Sequence, residues 1–396
     1  MRRRELSALA GVVVGIGSPG VGSWAQAEPS GIVPLQLLRT GDVGGLPLID
    51  VEFQGKPTRW LLDSGSSAAL VTPALAQRLK LRELSSLRVA MAGGVQTLQR
   101  YRLPPLPGLG MTDAVDAIAL DLQSLLGPAG AIVDGALGAP WLRQRSCRFD
   151  LARRQVQWRN APGAAPTGAA VLPVRWDDGL PVVELSIGAR SPDAFVFDTG
   201  NAGALVLFAR RAGELLAGRG NWPSTTVREL GGSVSARHAL IERLAAPGWV
   251  ARQVPAALES GDAARRGRHF ERLAGSLGIA LFESGAVTLD GPGGQLIVEL
   301  PGLPEPPPLP GGFGLRFERG TSLVVGSVVE GGPAAQSGVT VGDQVQAIDG
   351  ADARQWSAVQ AWEALAGRES MVMQLYRDGV SRRVELHRAR FFPPLS

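Results

Sequence analysis

Apolar and polar positions alternate in short runs along most of this chain, and the runs form two matching series. Leu46-Pro47-Leu48-Ile49-Asp50-Val51-Glu52-Phe53 reads as a strand that stops near Gly55. Leu180-Pro181-Val182-Val183-Glu184-Leu185-Ser186-Ile187 reads the same way and stops at Gly188. An apolar approach follows in each series, Trp60-Leu61-Leu62 in the first and Phe195-Val196-Phe197 in the second. Each approach ends in an Asp-Ser/Thr-Gly tripeptide, Asp63-Ser64-Gly65 and Asp198-Thr199-Gly200. Ala69-Leu70-Val71 then lines up with Ala204-Leu205-Val206. Helix-like stretches run from Pro73 to Leu79 and from Phe208 to Leu216, and Pro73 suits a first helical position. Gly-Gly pairs, Gly93-Gly94 and Gly231-Gly232, sit in strand-rich surroundings as hairpin tips. The series close with Ala136-Leu137-Gly138 and Ser276-Leu277-Gly278, then with apolar strands ending in Phe149-Asp150 and Leu289-Asp290.

An isolated Asp-Ser/Thr-Gly is ordinarily a surface Asx-turn. Two of them in duplicated surroundings predict two copies of one lobe. Each lobe then offers one carboxylate to a shared site. Two carboxylates that share a site cannot comfortably both ionise, so the pair holds one proton and serves as base and acid together.

These landmarks resemble the pepsin and retropepsin superfamily of aspartic proteases. The resemblance is carried by Asp63-Ser64-Gly65-Ser66, Asp198-Thr199-Gly200-Asn201, Asp134-Gly135-Ala136-Leu137-Gly138 and Gly275-Ser276-Leu277-Gly278. It spans roughly residues 32 to 300. It implies a mainly β fold with two small retropepsin-like lobes forming an internal pseudo-dimer, so that a monomer suffices for the active site. Asp63 and Asp198 would be catalytic. Ser64 and Thr199 would brace the two loops across the lobes. Gly65 and Gly200 would allow the tight turns, and Ser66 and Asn201 would support the outer carboxylate oxygens. Gly93, Gly94, Gly231 and Gly232 would tip the flaps, which lack the tyrosine of pepsin-type flaps. Ala136 and Ser276 stand where the family commonly has a bulky apolar residue, so the support beneath each loop is altered.

A third module follows a proline-rich stretch, residues 301–310, whose prolines favour a semi-rigid extended spacer. Strand-like runs are expected at Gly314–Phe317, Leu323–Val329, Gln344–Ile348, Met371–Tyr376 and Arg383–Leu386, with a helix from Trp356 to Leu365. Gly312-Phe313-Gly314-Leu315, Val328-Val329-Glu330-Gly331-Gly332-Pro333-Ala334 and Gly342-Asp343-Gln344-Val345-Gln346-Ala347-Ile348-Asp349-Gly350 resemble a PDZ domain. That resemblance implies strand addition of a peptide C-terminus, with its carboxylate at the loop of Phe313, Gly314 and Leu315.

The basic start Met1-Arg2-Arg3-Arg4, an apolar glycine-rich run and Ala25-Gln26-Ala27 read as a signal peptide over residues 1–27. The arginines fit twin-arginine export loosely, and the choice between that route and the general one stays open. No cysteine stands directly after the cleavage site, so a lipid anchor is not expected. Export to a bacterial periplasm is the expectation, with no membrane span in the mature chain. Removing that leader takes three arginines and one glutamate and lowers the net charge from +4 to +2. The remaining arginines are scattered apart from Arg265-Arg266-Gly267-Arg268, so a nucleic-acid partner is not expected. Cys147 is the single cysteine, so no internal disulfide forms. His238, His269 and His387 lie far apart in no ligand spacing, and neither a metal nor an organic cofactor is implied.

The expected organisation is a leader (1–27), an N-terminal lobe (32–159), a C-terminal lobe (169–300), a proline-rich linker (301–310) and an α+β PDZ domain (311–390). The expected activity is endopeptidase hydrolysis of a peptide or protein substrate. The competing expectation is a periplasmic adaptor that binds peptides in a protease-like cleft without cutting them.

Overall fold

The computed structural model describes residues 31–39, 41, 44–91, 94–126, 130–217, 222–229, 232–260, 271–300 and 312–395. The expected leader, Gly93, Gly231, the arginine cluster, His269 and the proline-rich stretch lie outside the described residues.

Two sheets repeat one strand order. The first runs Gln36–Leu38, Leu46–Phe53, Lys56–Asp63, Gly135–Gly138, Ala69–Val71, Val115–Ala119, Gly94–Leu103, Arg82–Met91. The second runs Arg175–Asp177, Leu180–Ile187, Asp193–Asp198, Gly275–Gly278, Leu205–Leu207, Trp249–Ser260, Gly232–Ala246, Ser224–Glu229. In both, the strand that ends in the Asp lies parallel to the strand that ends in Leu-Gly, with Asp63 opposite Gly138 and Asp198 opposite Gly278. The reason is alternation. Trp60, Leu62, Phe195 and Phe197 are buried in one continuous core, so each strand is fixed in register up to its Asp.

The sequence correspondence fails in one place. Leu70 faces Ala136, but it is Val206, not Leu205, that faces Ser276. The second lobe holds one more residue in the turn after its Asp. The helices Pro73–Arg78 and Ala209–Leu216 follow as expected, the first with Thr72 as its N-cap.

A six-stranded antiparallel sheet joins the lobes, three strands from each, in the order Gly31–Pro34, Gln155–Arg159, Ser146–Asp150, Ala286–Asp290, Gln295–Glu299, Ala170–Pro173. The Ser146–Asp150 and Ala286–Asp290 strands pair with each other, and Arg148 faces Thr288 at the pseudo-twofold. The two apolar strands ending in Asp therefore form the seam itself.

The C-terminal module has its own buried core around Phe313, Phe317, Val325, Val345, Trp362 and Met373. Its sheet runs Leu315–Arg319, Leu323–Val328, Gln344–Ile348, Ser370–Arg377, Val380–His387. The helix is Ala358–Ala364, started by a capping box between Ser357 and Gln360. This module rests on both lobes. Ser224 Oγ donates to Glu330 Oε2 at 3.0 Å, and Val359 packs on the N-lobe cluster of Leu38, Leu61 and Leu126. The C-terminal segment ties it down further. Pro394–Leu395 adds in parallel beside Leu240 and Ile241 of the C-lobe, Phe392 stacks on His238, and Leu395 is fully buried.

Among the described residues no helix is long and apolar enough to cross a membrane. Cys147 is buried in the inter-lobe seam, where burial pushes its thiol up and out of the reactive range.

Candidate active site

The two Asp-bearing turns meet at the pseudo-twofold axis. Ser64 N–H donates to Thr199 Oγ1 at 2.9 Å, and Thr199 N–H donates to Ser64 Oγ at 2.9 Å. The Ser64 hydroxyl then donates to Phe197 O at 2.7 Å, and the Thr199 hydroxyl donates to Leu62 O at 2.7 Å. Both hydroxyls are fully buried. Four reciprocal bonds thus lock each loop to the backbone of the other lobe, and each hydroxyl is used as donor and acceptor.

The glycines set the closeness. A Cβ on Gly65 would lie 2.3 Å from Asp198 Oδ1, and one on Gly200 would lie 2.4 Å from Asp63 Oδ1. Each glycine is the surface against which the opposite carboxyl rests. Gly65 N–H donates to Asp63 Oδ1 at 3.0 Å, and Gly200 N–H donates to Asp198 Oδ1 at 2.9 Å.

Asp63 and Asp198 are in hydrogen-bond contact with each other. Burial pushes the Asp63 carboxyl up to about 8, and the charge of Asp198 and the hydrogen bond to it push the same way. The N–H groups of Gly65 and Ser66 oppose the rise. A pair in this state holds one proton across the neutral range and titrates as a unit.

The outer supports depart from expectation. The Ser66 hydroxyl turns away from Asp63 and donates to Ala68 O at 2.9 Å. Asn201 does not reach Asp198 with its amide either. It donates to Ser276 Oγ at 3.1 Å and to Ser276 O at 3.3 Å. Ser276 Oγ in turn lies 3.0 Å from Asp198 Oδ2. Its counterpart, Ala136, is fully buried and has no polar atom to offer from its side chain. Ser276 is the site residue that sequence reasoning registered only as a departure from an apolar pattern. The usable signal was a hydroxyl in a core position, which needs a partner.

The two hairpins expected to serve as flaps close on Met91 opposite Gly94 and on Glu229 opposite Gly232. Gly94 and Gly232 each begin the return strand.

In the C-terminal module, Gly314 has φ +71° in a loop where Phe313 and Leu315 point into the core. Phe313 O accepts from Ala334 N–H and Gly314 O from Val329 N–H. Leu315–Arg319 is the end strand of its sheet, the position that strand addition requires. The C-terminal segment reaches this loop. Ala389 N–H donates to Gly312 O at 3.2 Å, and the Phe391 ring lies 3.3 Å from where a Cβ on Gly314 would stand.

Among the described residues no group of three or more His, Cys, Asp or Glu is arranged to hold a metal ion. His238 is buried against Phe392, and burial together with the charge of Arg316 pushes it down to about 4.

Residues 49–141 match the family model described as aspartyl protease, and residues 305–376 match the model of the PDZ domain. The first match takes in Asp63 and the Gly135–Gly138 strand, while Asp198 lies outside it. No curated protein matches the chain.

Proposed function

We propose that this chain, with its aspartyl-protease segment and its PDZ segment, is an exported aspartic endopeptidase whose dyad is Asp63 and Asp198. The observation that carries the reading is the mutual bracing of the two loops, which holds two carboxyls in contact and forces them to share a proton. In the proposed reaction the ionised carboxylate takes a proton from water as its oxygen attacks the scissile carbonyl carbon. The protonated carboxyl gives its proton to the carbonyl oxygen. The resulting gem-diol collapses as a proton passes to the nitrogen, the C–N bond breaks and the amine leaves. The family match supports a hydrolase of this type. The basic, apolar and small-x-small leader supports export to a periplasm.

The PDZ segment would capture a peptide C-terminus by strand addition along Leu315–Arg319 and raise the substrate concentration near the cleft. Because Phe391 rests on Gly314, an incoming C-terminus has to share this loop with the chain's own terminal segment or displace it.

The test is cleavage of an unfolded protein pool and of internally quenched peptides between pH 3 and 8, with products read by mass spectrometry. Wild type should cut internal bonds. Asp63→Asn and Asp198→Asn should each lose at least about 10³-fold, since one carboxyl cannot fill both roles. Binding of peptides without any cleavage by wild type would overturn the enzyme reading in favour of an adaptor.

A further inference from the structure

The two halves of the site are built alike except beneath the carboxyls, and there the difference has a direction. Gly203 N–H donates to Asn201 Oδ1 at 2.9 Å, which fixes the orientation of that amide. Its Nδ2 therefore points at Ser276 and donates to Ser276 Oγ. With an acceptor site already filled by Asn201, the Ser276 hydroxyl aims its own proton at Asp198 Oδ2, 3.0 Å away. A hydrogen bond donated to a carboxylate favours the charged form. In the other lobe Ala136 occupies the position of Ser276, and the Ser66 hydroxyl is spent on Ala68 O. Asp63 is also the more buried of the two, at 6 % exposed.

We propose that Ser276, oriented by Asn201, is a positioning residue that polarises the dyad, holding Asp198 as the carboxylate and leaving the shared proton on Asp63. The inference rests on the dyad reading above and adds a division of labour to it. Asp198 becomes the group that takes the proton from water, and Asp63 the group that donates to the carbonyl oxygen. Asp63 is acted on by Asp198 and by the Gly65 and Ser66 N–H groups, with no arginine, lysine or histidine among them. The groups on Asp198 include Gly200 N–H, Ser276 and Asp63.

The experiment compares Ser276→Ala, Asn201→Ala and Ala136→Ser in the full chain. Alanine beneath an Asp loop is already tolerated at position 136, so Ser276→Ala is expected to fold, and a thermal melt checks it. The first readout is the pH profile of kcat/KM. Ser276→Ala should move the acidic limb, which reports ionisation of Asp198, up by about one pH unit. It should lower kcat about tenfold with little change in KM, because the hydroxyl touches Asp198 and not the substrate. Asn201→Ala should give a smaller shift of the same sign. Ala136→Ser should move the alkaline limb down instead, by giving Asp63 a donor of its own. A uniform loss of rate in Ser276→Ala with both limbs in place would overturn the proposal and leave Ser276 a packing residue. The second readout is titration of ¹³C-labelled aspartate carboxyls, assigned with Asp63→Asn and Asp198→Asn, which needs no activity. Two carboxyls with well-separated titrations that converge in Ser276→Ala, in a protein that cuts nothing, would sink the peptidase reading and keep this one. Active wild type with an unchanged separation in Ser276→Ala would sink this one alone.

Discussion

The two lobes share one strand order and one turn, yet they treat their carboxyls differently. The N-lobe buries Asp63 over an alanine, and the C-lobe leaves Asp198 half-buried over a serine. The inter-lobe seam repeats the contrast. At the pseudo-twofold Arg148 faces Thr288. Arg148 Nη1 pairs with Asp150 at 2.6 Å, and its Nε pairs with Glu299 at 2.8 Å. The symmetry-related Asp290 has no such cation in its strand. It accepts instead from Gly163 N–H at 3.1 Å and Gln295 Nε2 at 3.0 Å. Duplication preserves what the backbone needs, namely the turn glycines, the bracing hydroxyls and the apolar approach. It leaves free the positions that set charge, and there the copies make different contacts.

The seam offers the largest test of that asymmetry. Arg148→Ala takes the buried guanidinium from Glu299 and leaves the enclosed Asp150 with Arg153 as its remaining cation, and it should cost about 3 kcal/mol in denaturant unfolding. Thr288→Val, at the matching position, should be neutral or slightly stabilising, because Thr288 Oγ1 is buried without a hydrogen-bond partner. Similar costs for the two would mean that the seam is symmetric in energy after all.

The turn glycines should behave as a symmetric pair. In Gly65→Ala and Gly200→Ala the new methyl collides with the opposite carboxyl. Displacing a reacting group by such a distance costs on the order of 10²-fold in rate, and steady-state assays should find both variants equally impaired. Loss in one variant only would show that the cleft leans on a single lobe.

The pH dependence of stability tests the burial of Asp63. Asp63 binds its proton more tightly folded than unfolded, rising from 3.8 to about 8. Its contribution is therefore fully present below about pH 4 and lost as pH rises toward about 8. Asp63→Asn should remove this loss, so its melting temperature relative to wild type should improve from pH 4 to pH 8. Melts with parallel pH profiles would contradict the burial argument.

The smallest effect concerns the docking of the third module. Removing residues 391–396 deletes the Phe392 stack on His238 and the Pro394–Leu395 pairing. Limited proteolysis should then cut faster between lobes and PDZ segment, while cleavage of short peptides stays within about twofold, since the dyad is braced independently. A large loss on short peptides would mean that the terminal segment supports the cleft.

The chain's own pattern determined the two lobes, the positions of both aspartates and the PDZ-like segment. Period-two burial fixes strand register, and glycine fixes where the backbone turns, so both are legible locally. Ser64 and Thr199 were legible as well, because each follows its Asp directly. Tertiary structure alone decided the slip that sets Val206 opposite Ser276. It also decided the turning of Ser66 to its own loop and the path of the last residues back to the C-lobe. The physical reason is that a hydroxyl takes whichever partner the fold brings within about 3 Å. Ser276 and Asp198 are 78 residues apart in the chain, and Ser64 and Thr199 are 135 apart. Side-chain type announces that a partner is needed, and only the packing of strands from distant segments says which one.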